Sequence, residues 1–115
     1  RGNLLTKKYT EETIETGRGS PHVVGYIGNG SSPEEISLLR GEVGDNQLIW
    51  TPGVNLAIGD GELGQRYGHP YDAVMSGSDG IIVGSGIHGA DDPVSSAKMY
   101  AKESWKALIE RDKNG

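Results

Sequence analysis

The chain has 115 residues, room for one small domain, carries a net charge of -5 and contains no cysteine. That charge excludes a duplex nucleic-acid binder, which needs a clustered excess of Lys and Arg, and the missing thiols exclude disulfides, cysteine nucleophiles and cysteine metal sites. No apolar run approaches the roughly 18 residues of a membrane helix and no signal peptide opens the chain, so a soluble, cytoplasmic protein without a membrane partner is expected.

In chain order, Tyr9 to Thr16 is polar around Ile14, with Thr10 as a candidate N-cap and Gly17 as a stop, which predicts a short helix. His22 to Ile27 is a β-branched and aromatic run closed by Gly28-Asn29-Gly30 and predicts a strand. Ser32-Pro33-Glu34-Glu35 supplies an N-cap, a proline at the first helical position and first-turn acids for a helix reaching about Arg40. Gln47 to Thr51 predicts a second strand, ended by Pro52-Gly53 because proline cannot donate to a sheet.

The glycine-rich stretch from Val54 to Gly68 has little periodicity, and a loop of that length in a compact domain is expected to bind or to cover a ligand. His69-Pro70 opens a short helix from Tyr71 to Ser76, and Gly77-Ser78-Asp79-Gly80 turns the chain into a third strand, Ile81 to Gly84. Asp92-Pro93 caps a last helix, where Val94, Ala97, Ala101, Trp105, Leu108 and Ile109 form an apolar stripe at 3-4 spacing.

Strands that are apolar at successive positions and alternate with helices predict a parallel sheet buried on both faces. Three such strands leave two open edges, and an apolar content of 34% offers little to cover them. The expected complement is another segment or chain. The 19 glycines fall at the ends of apolar segments, where they suit functional loops. In parallel α/β folds such loops follow strand C-termini, and here they are Pro52-Gly53 with the long loop, and Gly84-Ser85-Gly86. A lone Gly-x-Gly after a strand is more often a tight turn than a phosphate site, and Gln65 and Tyr67 taken singly read as solvated loop residues.

Taken together, Leu48-Ile49-Trp50-Thr51-Pro52-Gly53-Val54, Gly64-Gln65-Arg66-Tyr67 and Gly77-Ser78-Asp79-Gly80-Ile81-Ile82-Val83-Gly84-Ser85-Gly86 resemble the last third of eukaryotic orotidine 5'-monophosphate decarboxylases in order and spacing. Gly2-Asn3-Leu4, Tyr9-Thr10 and the tail Tyr100 to Trp105 extend the likeness, and Gly28 to Asn46 reads as an insert. The resemblance implies an α/β fold, the C-terminal part of a (β/α)8 TIM barrel with about strands six to eight, completed by an N-terminal half-barrel segment that is a cleaved part of the same precursor or a separate subunit. A whole barrel takes roughly 250 residues, so the chain is not expected to be an enzyme by itself, and its start at Arg1 points to processing, cleavage or truncation.

The same resemblance implies a carbon-carbon lyase of pyrimidine biosynthesis, a paired assembly of completed barrels, a nucleotide or small carboxylate substrate, and no cofactor or metal. It places Pro52 against the pyrimidine, Gly53 among the substrate-binding residues, Gln65 and Tyr67 on the phosphate, Gly84, Ser85 and Gly86 at the anion-binding turn, and Pro52 to Tyr67 in a mobile covering loop. Two departures stand out. The family's catalytic Asp-x-Lys-x-x-Asp array is absent, so no catalytic residue is expected in this chain, and Ser85 stands where the family's Gly-Arg-Gly carries an arginine. Losing that guanidinium costs about 1.5 to 3 kcal/mol for each charged hydrogen bond, which points to a changed or non-phosphorylated substrate, or to a non-catalytic partner that binds an anion. Arg66, beside Gln65, offers compensation only if adjacent loop side chains converge. His88 is a possible contact but fits better as a loop histidine near a helix start, and neither His22 nor His69 is given a role.

Overall fold

The computed structural model describes residues 7–56 and 68–114. In chain order the elements are α1 (Lys7–Arg18), β1 (Gly25–Ile27), α2 (Pro33–Val43), β2 (Leu48–Thr51), α3 (Pro70–Met75), β3 (Gly80–Ile81), α4 (Ser85–His88) and α5 (Pro93–Asn114). The strands form one sheet in the order β1-β2-β3, and both pairings are parallel. This is the strand-helix alternation of a (β/α)8 barrel, carried through three strands.

Local chemistry sets most boundaries. The Ser32 side chain accepts the Glu35 amide at 3.3 Å and caps α2, which runs past the expected Arg40 to Val43 because Gly41 is accommodated and Gly44, at a φ of 83°, turns the chain out. Asp92 caps α5 by accepting the Ser95 amide at 3.1 Å. His69 has a definite task, since its Nδ1 accepts the Tyr71 amide at 3.1 Å and opens α3.

Three expectations are corrected. Thr10 and Gly17 lie inside α1 instead of capping it. Gly17 has no Cβ because the Tyr26 ring fills that space, and the Tyr26 hydroxyl donates to the Ile14 carbonyl at 2.9 Å. Gly28 to Asn46 is no insert: it is the loop, helix and return that join two neighbouring parallel strands, and it contributes Ile36 and Val43 to the core. The third strand is shorter than expected, because Val83 turns toward the helical side of the sheet and α4 begins at Ser85; the ladder ends where Ile82 donates to Thr51 at 3.0 Å.

Nor are the strands buried on both faces. Ile49 and Thr51 point toward the helices and are fully buried, whereas Leu48 and Trp50 point to the other face and remain 45% and 48% exposed. Ile27 and Ile82 share that open face. Among the described residues, helices cover the sheet on one side only. On the covered side lie two clusters, Ile14, Val43 and Ile49 near β1, and Ile36, Val54, Ala73 and Tyr100 near β3.

The apolar stripe foreseen on the last helix is largely its outer flank. Val94 and Trp105 are 66% and 63% exposed, while the side that packs carries Tyr100 and Ala107. Polar neighbours on that side satisfy themselves locally, Ser96 on the Gly86 carbonyl at 2.7 Å and Ser104 on the Tyr100 carbonyl at 2.8 Å.

At the N-terminal ends of the strands the sheet is held by charge. Arg40 donates to the Gly44, Gln47 and Gly77 carbonyls and reaches Asp79 at 2.5 Å, while Arg111 donates to the Val74 and Ser78 carbonyls and reaches Asp79 at 3.1 Å. Asp79 also accepts the Ile49 amide at 2.9 Å, so one carboxylate ties α2, α5 and β2 together. Beside it the buried hydroxyls of Thr51 and Ser78 meet at 3.0 Å.

Candidate functional site

The opposite ends of the strands carry the loops. After β2, the Pro52 carbonyl accepts the Gly30 amide at 2.9 Å, which draws the loop after β1 alongside. Gly53 follows at a φ of 81°, a left-handed conformation that a side chain would strain. The chain then dips into the core at Val54, and the Asn55 amide donates to the Gly68 carbonyl at 2.7 Å, pinning together the two described ends of the long loop.

After β3, Gly84 precedes the single turn of α4. Its carbonyl accepts the Ile87 and His88 amides at 2.9 and 3.1 Å, which leaves the Ser85 and Gly86 amides in the first turn, where no earlier turn supplies a carbonyl. Ser85 is exposed. Gly86 is tightly placed: a Cβ there would lie 2.2 Å from the Tyr100 hydroxyl oxygen.

The structure therefore brings Pro52 and Gly53 to the same end of the sheet as Gly84, Ser85 and Gly86. Both loops rest on one cluster, to which the first contributes Val54 and Leu56 and the second Val83 and Ile87, against Ile36, Ala73 and Tyr100. His88 closes α4 and is exposed, with its Nε2 3.8 Å from the place a Gly84 Cβ would take. Gln65, Arg66 and Tyr67 lie outside the described residues.

The loop after β1 belongs to the same end and was read from sequence only as a strand boundary. Asn29 Oδ1 accepts the Ser31 amide at 3.0 Å and the Ser31 hydroxyl at 2.6 Å, and Ser31 borders Gly53. Gly28-Asn29-Gly30 at a strand end was the available signal, since it repeats what Pro52-Gly53 and Gly84-Ser85-Gly86 do on the next two strands.

Chemically this end offers backbone amides, the Ser85 hydroxyl and the His88 imidazole, while the Ser31 hydroxyl already donates to Asn29. Residues 28–32, 52–56 and 84–90 include no Lys or Arg, so no ammonium or guanidinium group of these stretches meets an anion held there. The Asp92 carboxylate nearby is engaged at the start of α5. Among the described residues, no group of three or more His, Asp or Glu is placed to hold a metal ion, and no helix is long and apolar enough to cross a membrane.

Comparison with known proteins identifies this architecture. The model of the orotidine 5'-phosphate decarboxylase / HUMPS family matches residues 1–100. The chain belongs to this family. It is 38% identical over 112 residues to the orotidine 5'-phosphate decarboxylase of Penicillium nalgiovense, covering 96% of this chain and 41% of that protein. The Passalora fulva enzyme of the same name is 35% identical, covering 96% of this chain and 40% of that protein. Among solved structures, orotidine 5'-phosphate decarboxylase from Pyrococcus horikoshii OT3 superposes with a TM-score of 0.65 at 30% identity, covering 89% of this chain and 42% of that one. The chain thus spans about two fifths of the length of these relatives, and the sheet described above is that share of the family's barrel.

Proposed function

We propose that the chain is the ligand-binding, C-terminal component of an orotidine 5'-monophosphate decarboxylase-like carbon-carbon lyase, active once an N-terminal barrel segment completes it. The observation that carries this reading is the convergence of Pro52-Gly53 and Gly84-Ser85-Gly86 at one end of a parallel sheet, on a shared core cluster. Decarboxylation breaks the bond between the ring and its carboxylate, releases carbon dioxide and leaves a carbanion to be protonated. The acids and lysine for those steps are assigned to the completing segment, and binding of the ligand to this one, with Gln65 and Tyr67 carried by the family resemblance.

Completion by a second segment is supported by the apolar surface left over. Ile27, Leu48, Trp50 and Ile82 line an open sheet face, and Val94, Trp105 and Ile109 line an open flank of α5. Exposed apolar side chains gathered on a sheet face or along a helix flank ordinarily face a partner. The completed barrels are expected to pair.

Ser85 supports a changed anion site. With a hydroxyl and amides in place of a guanidinium, the phosphate of the nucleotide is held weakly, and binding energy from that remote group is what such a site draws on at the reacting centre. Intact mass measurement of the native complex identifies the companion, and decarboxylation of orotidine 5'-monophosphate by that complex is then compared with and without Ser85→Arg. The expected result is poor turnover that improves at least about tenfold in kcat/KM with arginine; no gain overturns the claim that phosphate affinity is the missing quantity. The same serine also favours a second reading, a non-catalytic partner retained to bind an anion. A companion lacking the Asp-x-Lys-x-x-Asp array decides for it.

A further inference from the structure

Tyr100 lies mid-way along α5 and is 3% exposed. A phenylalanine would fill the same apolar space beside Ile36, Val54 and Ala73, so packing alone does not account for the hydroxyl. That oxygen accepts the Leu56 amide at 3.0 Å and lies 3.4 Å from Asn55 Oδ1, to which it donates. The same phenol lies over the other loop, occupying the volume that any side chain at position 86 would need. Ser96, one turn earlier on α5, holds that loop from beneath through the Gly86 carbonyl. Between the two loops is a cleft of about 390 Å³, walled by Tyr100 and bounded by Asp92, Ser95 and Met99.

We infer that Tyr100 is a positioning residue for the anion-binding turn. It bridges the Leu56 amide and the Asn55 side chain, which follow β2, to the Gly84-Ser85-Gly86 turn after β3, against which it packs at Gly86, and so fixes how the Ser85 hydroxyl and the Gly86 amide face a ligand. The consequence is specific to the charged end of that ligand. A turn that shifts by a fraction of an ångström loses hydrogen bonds to an anion, whereas contacts to the rest of the ligand are unaffected. This inference rests on the reading of Ser85 and Gly86 as the anion-binding turn.

The test uses the protein in its native assembly and two probes that differ only in the phosphate, uridine 5'-monophosphate and uridine, with affinities measured by calorimetry. The wild type is expected to prefer the nucleotide. Tyr100→Phe is expected to weaken nucleotide binding about fivefold, the contribution of one ordinary hydrogen bond, and to leave uridine binding unchanged. Gly86→Ala presses on the same contact from the other side and should weaken the nucleotide further, with partial recovery when Tyr100→Phe makes room for the added methyl. Equal loss for both probes, or no loss for either, assigns Tyr100 to packing and overturns the inference. A wild type that binds uridine as tightly as its monophosphate overturns the anion reading itself, before any substitution is made.

Discussion

Replacing Asp79 by alanine should be among the most damaging single changes at the strand N-termini. The carboxylate accepts three hydrogen bonds, from Arg40, Arg111 and the Ile49 amide. Ile49 is fully buried, so its amide would be left without a partner, at about 1 to 3 kcal/mol. Both guanidinium groups keep their carbonyl partners and lose only the charged contact, and with side chains 19% to 29% exposed that loss is only partly screened by solvent. The combined cost is about 3 to 4 kcal/mol, which at about 4 °C for each kcal/mol lowers the melting temperature by roughly 12 to 16 °C.

The pH dependence makes the prediction sharper. Burial pushes the Asp79 carboxyl upward, but the Ile49 amide and the two arginines outweigh it and hold the group below its ordinary value. A depressed folded pKa contributes stability that is present above the unfolded value, roughly 3.9, and is lost as pH falls through the folded one. The gap between wild type and Asp79→Ala, followed by thermal melts of the native assembly, should therefore hold from about pH 7 to about pH 5 and narrow below about pH 4. A cost under about 1 kcal/mol, or a gap indifferent to acid, would refute the assignment of Asp79 as the ionised tie between α2, α5 and β2.

Three further substitutions bear on the fold and the loops. Ile49→Ala removes a fully buried side chain from the cluster with Ile14 and Val43 and should cost about 3 to 4 kcal/mol in a urea titration, with the slope unchanged. Ser32→Ala removes the cap of α2; a loss of about 1 kcal/mol is expected, and Ser32→Asp should restore it. Gly30→Ala would place a methyl 2.2 Å from the Pro52 carbonyl oxygen, so about 2 kcal/mol of destabilisation is expected, together with exchange of the Gly30 amide in hydrogen-deuterium measurements, which stays protected in the wild type.

Much of this arrangement is legible in sequence where a cause is local. Ser32-Pro33 and Asp92-Pro93 announce helix starts because the capping atoms lie within three residues of the amides they accept. Pro52 ends a strand for the same kind of reason. The failures come where the cause is distant. Gly17 looks like a helix stop, yet the ring that occupies its missing side chain arrives from Tyr26 on the next strand. Arg40, Asp79 and Arg111 are far apart in the chain, and no spacing rule joins them. The periodic apolar residues of α5 mark its open flank, since its packed flank includes serines that satisfy themselves on nearby carbonyls. Of the site, Pro52-Gly53 and Gly84-Ser85-Gly86 could be read from glycine after a strand, while the contribution of Asn29 and Ser31 depends on the Gly30-Pro52 contact and is visible only in three dimensions.

The charged clamp around Asp79 and the loops after the strands stand at opposite ends of the sheet, and this separation bears on how the molecule can change. At the strand N-termini cohesion depends on Arg40 and Arg111, which stay away from the loop end, so residues 29, 31, 84 and 85 can drift or be redesigned while the scaffold keeps its shape. A selection for new anions could therefore randomise those positions and still recover folded variants at high frequency, provided Gly30 and Gly86 are spared.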